Sequence, residues 1–116
     1  MKIRGEAKLL RIFIGDSDKS DSIPLYEKIV TTAKKEGLAG ATVFKAVMGF
    51  GGSSRIHTSK ILRLSEDMPL VIEIVDENKK IDDFLNVLDN ILEEANCGGL
   101  VTMEKAEVIR YSAQKK

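Results

Sequence analysis

The chain has 116 residues, 43% of them apolar, which is enough for one hydrophobic core and too few for two, so residues 1–116 are expected to form a single domain. Eighteen basic residues balance eighteen acidic ones, which excludes a global basic field of the kind that holds proteins on nucleic acid or anionic lipid. One cysteine, Cys97, and one histidine, His57, exclude an intramolecular disulfide and a single-chain zinc site of the usual ligand set.

The first element is EAKLLRIFIG, residues 6–15. Its alternation puts Leu10, Ile12 and Ile14 on one face and Leu9, Arg11 and Phe13 on the other, the period of a strand. A helix follows in residues 18–37, with Leu25, Ile29 and Ala33 at four-residue spacing and Pro24 suited to its first turn. Asp21 or Ser22 is expected to cap it, and Gly37 to stop it with positive φ. Residues 41–48, ATVFKAVM, are β-branched and alternating and predict a second strand. Residues 68–76, MPLVIEIVD, are apolar apart from Glu73 and the terminal Asp76 and predict an interior strand covered on both faces. Ile81, Phe84, Leu85, Leu88, Ile91, Leu92 and Ala95 then form the continuous stripe of an amphipathic helix. Asp82 and Asp83 are expected in its first turn, Glu93 and Glu94 near its negative end, and Gly98 and Gly99 break it. Residues 100–111 predict two short strand pieces split around Glu104 and Lys105, and residues 112–116 a frayed polar tail.

This order predicts an α+β domain, a ferredoxin-like βαββαβ sandwich with two helices on one face of an antiparallel sheet. Right-handed crossovers leave a gap between the first two strands, which the third fills. Arg11 and Asp16 interrupt the only apolar run near the N-terminus, and no stretch approaches membrane-spanning length, so a cytoplasmic protein is expected.

Residues 49–67 make a connection far longer than the usual handful of residues, and bare loops beyond about 12–15 residues are usually functional or disordered. Gly49, Gly51 and Gly52 stand at its mouth, where glycine lets backbone amides approach an anion; Arg55, Lys60 and Arg63 follow and can supply charge-assisted bonds. Neither the Walker spacing nor the dinucleotide fingerprint is present, because no Lys-Ser or Lys-Thr follows and Ser54 occupies the last glycine position. From the residues alone, a phosphate cradle, a plain hairpin with solvated charges and a partner-binding loop all remain open.

Other chemistry is weakly supplied. His57 lies near several hydroxyls, but nothing in the sequence provides an orienting carboxylate and oxyanion hole. Asp16, Asp18 and Asp21 resemble the start of a calcium loop but lack its glycine and twelfth-position glutamate, so turn formation and capping are the expected roles. Cys97 is expected as a small buried residue, and no aromatic RNA-binding pattern exists. No catalytic residue, no metal and no nucleic-acid partner is predicted.

The segments IPLYEKIV, GLAGATVFKAVMGFGG, LSEDMPLVIEIVDE and GGLVTMEKAEVI together resemble an uncharacterised prokaryotic family grouped with the PII-like signalling proteins, from about Glu6 to Tyr111. The resemblance implies a homotrimer with its sheets facing the three-fold axis and an adenine nucleotide, AMP, ADP or ATP, bound in clefts between subunits. It also implies that residues 49–67 correspond to the mobile T-loop, which docks a protein target, a membrane transporter being one candidate. Gly98 and Gly99 then correspond to the phosphate-holding B-loop, although Leu100 and Val101 stand where that loop has a lysine, leaving Lys105 and Arg110 as substitute cations. The nucleotide site expected on these grounds is Gly49, Gly51, Gly52, Arg55, Lys60, Arg63, Gly98 and Gly99. Two alternatives are a divalent-cation tolerance-like trimer, in which His57 and Cys97 of neighbouring subunits converge on a metal, and a cleft enzyme acting on phosphate esters.

Overall fold

The structure is a computed structural model that describes residues 2–50, 57–58 and 68–113, with only the backbone described at Lys2, His57 and Thr58. Four strands, β1 (Lys2–Gly15), β4 (Thr42–Lys45), β7 (Pro69–Asp76) and β8 (Leu100–Ser112), form one sheet in the order β4-β7-β1-β8. Every neighbouring pair is antiparallel, and β7 fills the gap between β1 and β4 that a right-handed crossover leaves. Two small hairpins complete the set, β2 (Lys19–Ser20) with β3 (Ile23–Pro24), and β5 (Met48–Gly49) with β6 (His57–Thr58). Helices α1 (Leu25–Lys35) and α2 (Asn78–Ala95) cover one face of the sheet.

The alternation of β1 decides which face that is. Leu10, Ile12 and Ile14 are buried with Leu70, Ile72 and Ile74 of β7 under Leu25, Ile29, Phe84, Leu88 and Ile91 of the helices. Leu9, Arg11 and Phe13 point the other way, opposite Val75, Glu73 and Val71. Residues of β7 are therefore covered on the helix face only within one chain, not on both faces as its composition suggests; Val71 and Glu73 are half-buried and Val75 is exposed. Phe44, opposite Val71, shares this open face and is half exposed, whereas Val43 turns inward and packs against the core.

Helix α1 starts later than its expected cap. Asp21, at φ 57°, and Ser22 form the turn of the β2–β3 hairpin, Pro24 is the N-cap residue without a side-chain bond, and the amide of Leu25 donates to the Asp18 carbonyl at 2.8 Å. Gly37 ends the segment at φ 83° as anticipated. A Cβ there would stand 3.0 Å from Lys80 Nζ, a flexible tip that can withdraw, so the main cost of Gly37→Ala is the left-handed backbone. Chemical denaturation should show a loss of about 1–2 kcal/mol.

Helix α2 begins at Asn78, so Asp82 and Asp83 lie in its second turn rather than its first. Asp82 reaches Lys8 of β1 at 2.7 Å and Asp83 pairs with Lys79. The entry to α2 is instead organised by Asp76, which is buried and accepts the amides of Glu77 at 2.7 Å and Ala39 at 2.8 Å. At the other end the amide of Asn96, at φ 53°, donates back to the carbonyls of Leu92 and Glu93, so the helix stops in a left-handed residue just before Gly98 and Gly99, the breakers expected from the sequence. Strand β8 is a single strand of 13 residues, not two pieces. Glu104 and Lys105 are tolerated within it because β8 is an outer strand, paired among the described residues only with β1. The ladder shifts register between Ile3 and Gly5, where Gly5 adopts φ 94°.

Candidate functional site

The long connection leaves from the sheet end where β4 and β1 finish and β7 and β8 begin. Gly15 pairs with Pro69 and Phe13 with Leu100, so all four termini border the segment Phe13–Asp16. Asp16 ties this end together. Its amide donates to the Met68 carbonyl at 2.9 Å, its Oδ1 accepts the Met68 amide at 3.1 Å, and its Oδ2 lies 3.3 Å from Lys45 Nζ. Asp18 Oδ2 accepts the Gly15 amide at 2.9 Å, and the Ala46 amide donates to Pro69 at 2.9 Å. Asp16 and Asp18 thus act in turn formation, and no group of three or more potential metal ligands occurs among the described residues.

Three of the expected site residues are brought to this end. Gly49 lies against Pro69, where a Cβ would stand 3.2 Å from the ring Cγ. Gly99 lies against β1, where a Cβ would stand 3.2 Å from the Phe13 carbonyl oxygen and 3.4 Å from Ile14 Cγ2. Gly98 is beside it in open space, and neither of these two amides has a protein acceptor among the described residues. Gly51, Gly52, Arg55, Lys60 and Arg63 lie outside the described residues. Residues 41–48 are not one strand: β4 stops at Lys45, the Ala46 amide turns to Pro69, and Met48–Gly49 pair with His57–Thr58 in the β5–β6 hairpin.

The charge around Gly98 and Gly99 is not supplied by α2, whose last turn holds Glu93 and Glu94 and no basic residue. Nor do Lys105 and Arg110 of the same chain supply it. They lie on β8 as it runs away from the turn, at about 3.3 Å per residue, and Arg110 is near the opposite end of the sheet. Sequence reasoning passed over Lys45 and saw Asp16 only as a turn residue; their pairing is made by the strand order, which no local pattern encodes.

A second feature is the open face of the sheet. Arg11, Phe13, Phe44, Val71 and Glu73 line a shallow depression of about 420 Å³. Arg11 Nε donates to Glu73 at 2.8 Å and its Nη1 donates to Glu104, a ladder across β7, β1 and β8. These bonds, the Glu73 one foremost, raise the guanidinium pKa above its ordinary value, so Arg11 is a fixed charge at any accessible pH. Cys97 is half-buried, with its thiol directed at the carbonyls of Ala95 and Lys19.

The architecture, an antiparallel four-stranded sheet with two helices on one face and a long connection after its second main strand, is that of the PII-like proteins. Over 93% of this chain and 91% of the other it superposes on CPII from Thiomonas intermedia K12, a nitrogen regulatory PII-like protein bound to ADP, AMP and bicarbonate, with TM-score 0.67 at 16% identity. CutA from Synechococcus elongatus PCC7942 shares the fold more distantly, with TM-score 0.55 at 9% identity over 97% of this chain and 90% of that one. The chain belongs to the DUF190 family, described as an uncharacterized ACR, whose pattern it matches over residues 7–108. A UPF0166 protein of Aquifex aeolicus (strain VF5) is 39% identical over 102 residues, 88% of this chain and 92% of the relative. No helix among the described residues is long and apolar enough to cross a membrane.

Proposed function

We propose that the protein is a non-enzymatic cytoplasmic regulator, a homotrimer that binds an adenine nucleotide between subunits and signals occupancy to a protein target through residues 49–67. The observation that carries this reading is the convergence of Gly49 with Gly98 and Gly99 on one end of a PII-like sheet, with the amides of the latter two unpartnered among the described residues. A solved PII-like neighbour bound to ADP and AMP supports the choice of ligand class. The open sheet face supports self-association, because Leu9, Phe13, Phe44 and Val71 form an apolar surface that a second copy would cover. In this reading Gly49, Gly51 and Gly52 contribute amides, Arg55, Lys60 and Arg63 charge, and Gly98 and Gly99 a second phosphate-facing turn. A ligand shifts the 49–67 segment only by binding one of its states better, so different nucleotides must contact it differently.

Calorimetric titration with AMP, ADP and ATP, with and without bicarbonate, tests the reading. Saturable heat and a thermal shift from at least one nucleotide, without steady turnover, are expected. No heat and no shift from any of the three removes nucleotide sensing, and sustained hydrolysis replaces it with a cleft enzyme.

A further inference from the structure

Lys45 extends from the end of β4, the outer strand, yet its ammonium lies 3.3 Å from Asp16, just past the end of β1. To reach it the side chain spans β7, so the charge arrives at the middle of the sheet end, with Gly49 on one side and Gly99 on the other. The pairing is asymmetric. Asp16 is fixed, because its Oδ1 holds the Met68 amide while its own amide is bound to the Met68 carbonyl. Among the described residues Lys45 is held only by Oδ2, and its side chain is 62% exposed, so its bond to Asp16 is readily exchanged for another anion. A lysine ammonium on a four-carbon stem can be redirected without moving the backbone.

Backbone donors at this end are largely spent. The amides of Gly15, Asp16, Ala46 and Met68 all have protein acceptors. An anion here therefore needs a cation in addition to the glycine amides, and among the described residues the cation at this end, Lys45, is already paired with Asp16.

Resting on the nucleotide reading above, we propose that Lys45 is a phosphate ligand of this site and that Asp16 is its internal competitor. Asp16 surrenders the ammonium when phosphate arrives, and in doing so sets the affinity of the site. Asp16→Asn separates the two roles of the carboxylate, because the amide oxygen still accepts from Met68 while the charge facing Lys45 is gone.

The test is titration of ADP into the wild type, Lys45→Met, Asp16→Asn and the double variant, with backbone amide exchange at Met68 as a check on the strand ends. Losing the charge-assisted bond should weaken ADP roughly tenfold or more in Lys45→Met. Asp16→Asn should tighten it several-fold, and this gain should disappear in the Lys45→Met background. Met68 exchange should be unchanged in Lys45→Met and Asp16→Asn. If the wild type binds ADP and Lys45→Met binds it equally well, the role of Lys45 is wrong while nucleotide sensing stands. If Asp16→Asn tightens binding equally in both backgrounds, Asp16 acts through its general field and the competition is wrong. If the wild type binds no adenine nucleotide, the parent reading fails and takes this assignment with it.

Discussion

In the homotrimer proposed above, Val71→Asp should convert the assembly into single chains, read as a fall in solution mass by light scattering, while the far-ultraviolet circular dichroism of the fold is kept. Val71 sits at the centre of the open face, opposite Phe13 on β1 and Phe44 on β4. Within one chain an aspartate there keeps access to water, because the residue is only half-buried and lines an open depression. Covered by another copy, the same carboxylate loses its hydration, and the cation beside it among the described residues, Arg11, is already engaged by Glu73 and Glu104. The association constant should drop by about a thousandfold or more, the equivalent of roughly 4 kcal/mol. A variant that stays fully assembled would show that subunits meet elsewhere.

Asp76→Ala should produce the larger loss of folding stability. The substitution removes the acceptor of two amides, those of Ala39 and Glu77, at a position only 1% exposed. Bonds to a charged acceptor are each worth about 1.5–3 kcal/mol, so a loss near 3 kcal/mol is expected even with partial rehydration. For a domain of this size that is a fall in midpoint of about 10 °C. Thermal denaturation checks it, and an unchanged midpoint would mean that water replaces the carboxylate at no cost.

What could be read in the sequence follows from periodicity. Leu10, Ile12 and Ile14 announce the buried side of β1, and Ile81, Phe84, Leu88 and Ile91 the buried stripe of α2, because burial on one face imposes a repeat. The short β2–β3 hairpin has no repeat to offer, and so Asp21 reads as a helix cap when it is a turn residue at φ 57°. Glu104 looks like a break in the last strand because its partner, Arg11, lies 93 positions away. The same limit applies at the site. The glycines stand out locally, while the Lys45–Asp16 pair exists only once β7 has inserted between β4 and β1.

The Tyr111 hydroxyl donates to the Ala39 carbonyl at 3.2 Å, while Asp76 holds the Ala39 amide. The chain has no tryptophan and two tyrosines, Tyr26 and Tyr111, so its intrinsic fluorescence arises from just two rings. Tyr26→Phe would leave Tyr111 as the sole emitter, an optical probe set at the far end of β8 from Gly99. Its quantum yield would then register any disturbance of the Ala39 segment without a dye being attached.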